Sequence, residues 1–91
     1  MEPYKYKVTM KKYGSDDKVV KYELYYTDDV DDNPRREWCL IGYCRTKPKA
    51  ISTAKRNSKT YHEVEIRGYD ENYDIIFHEY YQNGKLHDKM L

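Results

Sequence analysis

The chain has 91 residues, with 17 Lys or Arg against 16 Asp or Glu and a net charge of +1, and it has the length of one domain. No run reaches the roughly 18 apolar residues of a membrane-spanning helix and the sequence opens without a hydrophobic leader, so we expect a cytoplasmic protein. Val, Ile, Leu and Phe total only 15 residues whereas Tyr occurs twelve times, which predicts a small core partly built from Tyr rings.

Alternation of apolar and polar residues predicts two strands at the start of the chain. Residues 4–11 and 19–26 alternate with period two. Gly14, Ser15, Asp16 and Asp17 lie between them and are turn formers, so the pattern predicts a hairpin. The core side of the second strand is predicted to carry Val20, Tyr22, Leu24 and Tyr26.

An acidic stretch follows, from Asp28 to Pro34, which we interpret as a surface loop. Asp29, Asp31 and Asn33 match the opening of an EF-hand calcium loop. The positions for its glycine and its bidentate glutamate hold Pro34 and Leu40, so a calcium site is not predicted. A loop that mimics phosphates for a basic partner is the alternative.

Residues 38–45 are predicted to form a third strand. Apolar residues on both of its sides indicate a central position in the sheet. Cys39 and Cys44 are five residues apart, which predicts opposite faces and a separation of about 16 Å. A disulfide needs Cα atoms within about 7 Å, so we expect two buried, reduced cysteines.

An amphipathic helix is predicted after this strand. Thr46 is a suitable N-cap and Pro48 lies near the first turn, where proline is tolerated. Ala50, Ile51 and Ala54 cluster on one side. The opposite side is cationic and includes Lys49, Lys55, Arg56 and Lys59.

The segment from Gly42 to Ala54, with Lys47 and Lys49 at the helix start, resembles the junction of the last strand and second helix in double-stranded-RNA-binding domains. That resemblance implies that Lys47, Lys49, Lys55, Arg56 and Lys59 contact phosphates. The chain departs from the family at Pro48, which replaces a lysine, and in having no helix predicted before the strands.

Residues 60–68 and 73–82 alternate again around a turn at residues 70–72, which predicts a second hairpin. Val64 and Ile66 are expected near Ile75 and Phe77, with Glu65 beside His78 on the other side. Asn83-Gly84 predicts a tight turn into a short strand at residues 85–87. The fold class is therefore α+β: an antiparallel sheet of five to six strands, in the order β-β-β-α-β-β, with one helix on one face.

No pattern indicates a cofactor, a metal or a catalytic centre. His62, His78 and His87 lack the spacings of zinc motifs, and the cysteines form no CxxC pair. Glu65 could orient His78 as a general base, but no nucleophile stands in a recognisable motif. We therefore predict a protein that is not an enzyme.

Charge is segregated along the chain. Residues 35–59 carry eight cations and one acid, whereas residues 60–80 carry six acids and one cation. The two groups either neutralise each other in space or form surfaces that steer a partner. We predict seven partner-binding residues: Lys47, Lys49, Lys55, Arg56, Lys59, Tyr25 and Tyr43.

The predicted function is that of a small interaction protein that binds and blocks a protein partner. In composition the chain resembles phage-encoded inhibitors of host defence enzymes, including anti-CRISPR proteins. The alternative is a nucleic-acid-binding module that uses the basic helix at residues 47–59. A homodimer formed through a free sheet edge or through opposite charges also remains open.

Overall fold

The computed structural model describes residues 18–30 and 35–91. Within them the chain forms five strands and one helix: β1 Lys21–Thr27, β2 Cys39–Cys44, α1 Lys47–Asn57, β3 Glu63–Tyr69, β4 Ile75–Gln82 and β5 Lys85–Lys89. All neighbouring strands are antiparallel, in the order β2-β1-β3-β4-β5. This confirms the α+β class with one helix. The strand predicted at residues 4–11 lies outside the described residues.

Helix α1 packs on one face of the sheet and closes the core. The buried core residues are Tyr22, Leu24, Ala50, Ala54, Val64, Ile66, Phe77 and Tyr81. Ala50 and Ala54 are fully buried, with Ile51 packed beside them, because their short side chains let the helix backbone approach the sheet. Two tyrosines belong to this core, as predicted.

The start of α1 follows the prediction in position. Pro48 lies in the first turn, and Thr46 occupies the N-cap position with an extended backbone. The Thr46 side chain makes no capping hydrogen bond. The start of the helix therefore has Thr46 and Pro48 at the expected positions but lacks a side-chain capping hydrogen bond.

The pairing of β1 corrects one prediction. β1 pairs along its whole length with β3 and also with β2, so no edge of β1 is left for the predicted hairpin with residues 4–11. Strand β2 lies at one end of the described sheet, and residues 4–11, predicted to form a further strand, are outside the described part. The central strand of the described sheet is β3, in which the first four residues are buried on both faces.

A β-bulge explains the misleading pattern of β2. The pairing shifts between Leu24 and Tyr25, which leaves Ile41 as an extra residue in β2. Cys39 and Cys44 therefore oppose residues four apart on β1 and share one face, which contradicts the predicted opposite faces. Cys39 is exposed rather than buried, Cys44 is half-buried, and both thiols are free.

The β3–β4 hairpin forms in the predicted region, with a different register at its tip. Val64 opposes Tyr81, and a second irregularity places Ile75 opposite Tyr69. Ile75 is 38% exposed, so its predicted packing near Val64 is wrong. The physical reason is the same as in β2, because one extra residue reverses the alternation of faces.

The last turn is of the predicted kind. Asn83 and Gly84 have φ values of 54° and 81°, the left-handed conformations that a two-residue hairpin turn requires. The final strand extends to Lys89 rather than ending at His87. The Gly84 N–H donates to Ser58 Oγ at 2.8 Å, which ties this turn to the end of α1.

Candidate interaction surfaces

The seven predicted partner-binding residues lie on two sides of the molecule. Tyr25 follows the buried Leu24 in β1, and Tyr43 opposes Glu23 in the neighbouring register. Both tyrosines therefore lie on the sheet face opposite α1, which we call the outer face. The five cations lie on or just after α1. The predicted site is thus two surfaces separated by the thickness of the sheet.

The cationic side of α1 is exposed. Lys49, Lys55 and Arg56 are all exposed, and no ion pair involves them within residues 18–30 and 35–91. Carboxylates of the later strands bind other groups, namely Glu63 with Arg36, Glu65 with Arg67 and His78, and Glu79 with Lys89. None of these three carboxylates therefore pairs with Lys49, Lys55 or Arg56.

The other two helix cations have different surroundings. Lys47 is half-buried, and its Nζ lies 5.4 Å from the centroid of the Phe77 ring. The alkyl chain of Lys59 lies against Gly84, where an added Cβ would be 2.8 Å from Lys59 Cε. The cationic surface is therefore centred on Lys49, Lys55 and Arg56.

A polar cluster on the outer face is built around Glu65, which is 3% exposed. Arg67 donates to both carboxylate oxygens, from Nε at 3.0 Å and Nη2 at 3.2 Å. His78 Nε2 lies 2.5 Å from Oε2, and the Tyr80 hydroxyl donates to the same oxygen at 3.3 Å. The predicted proximity of Glu65 and His78 is confirmed.

These contacts set the ionisation of the cluster. Burial raises the pKa of Glu65, but the hydrogen bonds from His78 and Arg67 and the positive charge of Arg67 outweigh it and hold the pKa below its usual range. Burial, together with the charge of Glu65, raises the pKa of Tyr80 to about 12. At neutral pH, Glu65 is therefore ionised and Tyr80 is protonated.

Residues 35–38 cross the outer face and cover this cluster. Arg36 Nη2 lies 2.7 Å from Glu63 Oε1, and the Arg36 guanidinium lies 4.9 Å from the Trp38 ring centroid. The Trp38 ring is 5.9 Å from that of Tyr80. This covering explains how Glu63 and Glu65 are buried on the face away from α1, which the alternating pattern did not predict.

The acidic stretch contributes to this covering segment. The Glu37 N–H donates to Asp29 Oδ2 at 3.1 Å, so the Asp29 carboxylate binds backbone rather than standing free for a cation. Asp31 and Asn33 lie outside the described residues. Within the described ones, no group of three or more His, Cys, Asp or Glu residues is arranged to hold a metal ion.

The end of the outer face near the start of β1 is exposed. Tyr43 and Tyr73 are 60% and 67% exposed, and Lys21 Nζ lies 4.7 Å and 5.1 Å from their ring centroids. Lys21 also donates to the Tyr73 hydroxyl at 3.1 Å. The Tyr69 ring meets the Tyr73 ring edge-on at 5.5 Å. We call Lys21, Tyr43, Tyr69 and Tyr73 the Tyr43–Tyr73 surface.

Sequence reasoning identified Tyr43 but missed Tyr73. Tyr73 lies in the β3–β4 turn with φ of 66°, a conformation that bulky residues rarely adopt. Asp70 Oδ1 accepts the N–H groups of Asn72 and Asp74 at 2.9 Å and 3.0 Å. An Asp at the start of a turn is a sequence signal for this local bonding, but it does not indicate where the Tyr73 ring lies.

Tyr25, also predicted to bind a partner, makes contacts within the outer face. Its hydroxyl donates to Glu23 Oε1 at 2.7 Å, and the Arg67 guanidinium lies 4.5 Å from its ring centroid. Burial, with the hydrogen bond to Glu23, raises the pKa of Tyr25 to about 12. These contacts hold the Tyr25 side chain against Glu23 and Arg67 on the outer face.

Comparison of the chain with known protein families, curated proteins and solved structures finds no match. The resemblance to double-stranded-RNA-binding domains consequently depends on residues 42–54 alone. Among the helices of the described part of the chain, none is long and apolar enough to cross a membrane.

Proposed function

We propose that the protein is a non-enzymatic protein-binding module that contacts its partner through the Tyr43–Tyr73 surface. The observation that carries the proposal is the pair of exposed tyrosine rings that both lie within about 5 Å of Lys21 Nζ. Tyr is enriched at the centres of protein interfaces, where its ring is buried and its hydroxyl still finds a partner. The sheet and the Lys21 contacts hold these rings in place, which lowers the entropy lost on binding.

The backbone at Tyr73 supports a role for its ring. A left-handed conformation costs an ordinary residue about 1–2 kcal/mol, whereas Gly and Asn adopt it readily. The exposed Tyr73 ring gains only surface contacts with Lys21 and Tyr69 in return. A ring that is used in binding accounts for a tyrosine at this position.

Blocking is the simplest action for a module of this size. The protein would occupy a surface that its partner needs, as small phage-encoded inhibitors of host defence enzymes do. This part of the proposal depends on the composition of the chain, which is rich in Tyr, Lys and Asp.

The two sides of the molecule provide a matched test of partner binding. Proteins retained by the immobilised wild-type chain from cells that express it would be quantified by mass spectrometry. The comparison uses a Tyr43→Ser, Tyr73→Asn variant for the outer face and a Lys55→Glu, Arg56→Glu variant for the helix. We expect a partner that the tyrosine variant loses at least tenfold and the helix variant retains.

Each outcome of this comparison has a defined meaning. Equal retention by the wild type and the tyrosine variant would exclude the Tyr43–Tyr73 surface. Loss of the partner by the helix variant alone would show that the partner binds α1 instead. Circular dichroism of both variants must show the wild-type spectrum, because an unfolded variant would lose binding for a trivial reason.

A second candidate function is nucleic-acid binding through α1, which the exposed Lys49, Lys55 and Arg56 favour. Three phosphate contacts predict a slope of about −2.7 for log affinity against log salt, or a loss of about 40-fold between 50 and 200 mM salt. Fluorescence anisotropy with a labelled duplex and a labelled single strand measures this slope. Absence of binding to both at 50 mM salt would exclude this function.

A further inference from the structure

We propose that β2 pairs with β2 of a second copy, antiparallel and about a two-fold axis, to form one continuous sheet across the dimer. Among the strands that the structure describes, none lies beyond β2. Within residues 18–30 and 35–91, the outer N–H and C=O groups of β2 face no other strand, and groups of this kind can pair with another extended strand. Tyr43 belongs both to this pairing and to the Tyr43–Tyr73 surface, and the oligomeric state of the purified protein tests this inference without any other partner.

The composition of β2 is unusual for a strand at a sheet end. None of its six residues is charged, and Leu40 and Tyr43 are 47% and 60% exposed. Sheet ends that stay unpaired are normally protected by charged residues, especially Lys. Strand β5, at the opposite end, has this protection, with Lys85, Asp88 and Lys89 among its five residues.

The bulge at Ile41 makes β2 complementary to itself. Because of the extra residue, Leu40 and Tyr43 share the outer face and Cys39 and Cys44 share the face of α1. When a second β2 runs antiparallel, Leu40 opposes Tyr43 of the partner copy and Cys39 opposes Cys44 of the partner copy. Without the bulge, these pairs would combine residues of opposite faces.

The cysteines provide a specific test of the register. Within one copy, Cys39 and Cys44 oppose residues four apart on β1 and are therefore about 13 Å apart along the strand, too far for a disulfide. Oxidation by diamide, which accepts the two electrons and two protons released per disulfide, can therefore join Cys39 to Cys44 only between copies. We expect the wild type to become a disulfide-linked dimer, seen on a non-reducing gel.

Single-cysteine variants separate this register from random collision. Cys39→Ser alone and Cys44→Ser alone should fail to cross-link, because like cysteines are offset by about 13 Å along the paired strands. An equimolar mixture of the two should cross-link in about half of its dimers. Cross-linking of either variant alone, or failure of the mixture, would overturn the proposed register.

Light scattering after gel filtration tests the dimer without oxidation. At about 100 μM under reducing conditions, we expect twice the monomer mass of 11.1 kDa. Leu40→Lys should shift the protein to the monomer, whereas Leu86→Lys, the matched change in exposed β5, should not. A monomeric wild type would overturn the proposal, whether β2 is then free or covered by other residues of the same chain.

Discussion

Replacing Glu65 by Gln tests whether the buried polar cluster stabilises the fold through charge. Gln keeps the size of Glu and one carbonyl oxygen, but it removes the charge and brings an NH₂ group toward Arg67 and His78, which donate in the native cluster. The control is Glu71→Gln, which removes an exposed carboxylate from the nearby turn.

The expected loss of stability follows from the burial of the two partners. Breaking a fully buried ion pair costs roughly 3–5 kcal/mol. The Arg67 side chain is 31% exposed, so water can replace part of its lost interaction, and we expect about 2–3 kcal/mol for Glu65→Gln at pH 7. For a domain of this size, that corresponds to a fall in Tm of roughly 10–20 °C. Glu71→Gln should change the free energy of unfolding by less than about 0.5 kcal/mol.

The pH dependence identifies charge as the cause. The pKa of Glu65 is lower in the folded than in the unfolded protein, so its stabilising effect is present above its ordinary pKa of about 4.3 and is lost as pH falls through the folded value. Urea unfolding of wild type and variant at pH 7 and about pH 3 measures the difference. A difference that stays constant with pH, or is below about 0.5 kcal/mol at pH 7, would refute the reasoning.

Two further predictions concern close packing and alkaline pH. Gly68→Ala should cost about 1–3 kcal/mol in urea unfolding, because its Cβ would lie 2.7 Å from Phe77 Cβ; Gly42→Ala, with nothing within 4 Å, is the control and should cost little. The raised pKa of Tyr80, about 12 against about 10 unfolded, stabilises the fold below pH 10, and this effect is lost as pH rises toward 12. Wild type should lose about 1 kcal/mol more than Tyr80→Phe over that interval, after allowance for solvent screening; equal losses would contradict the assignment.

The elements that could be predicted from the sequence are those with an uninterrupted period. Tyr22 and Leu24 alternate with polar residues in β1, and Ala50 and Ala54 mark the packed side of α1. Both signals are local, because the alternation of side chains follows directly from backbone geometry. Their positions and buried faces are confirmed by the structure.

The pairing of strands could not be predicted in the same way. β1 pairs with β3, and Leu24 opposes Ile66 across 42 positions of sequence. No local pattern specifies such a partner. The sequence favoured the adjacent run at residues 4–11 because hairpins between neighbouring strands are common. Bulges have no clear sequence signal either. The bulge at Ile41 places Cys39 and Cys44 on the same face of the sheet, whereas opposite faces were predicted.

The same difference between local and long-range signals applies to the candidate surfaces. The cationic side of α1, with Lys55 and Arg56, was predictable from helical period. The Tyr43–Tyr73 surface was only half predictable, because Tyr73 reaches Tyr43 through contacts of both with Lys21, in a third part of the chain. Residues 35–38, which reach Glu63 through Arg36 and Tyr80 through Trp38, carry no pattern of their own.

The position of Trp38 makes the covering segment separately observable. It is the chain's single tryptophan, and its ring lies 5.9 Å from Tyr80, on the opposite side of the sheet from α1. Its fluorescence therefore monitors the attachment of residues 35–38, while far-ultraviolet circular dichroism monitors α1 and the strands. Coincident denaturation curves from the two signals would show that this segment unfolds with the sheet, and an earlier fluorescence transition would identify it as a unit that detaches first and exposes Glu65 to water.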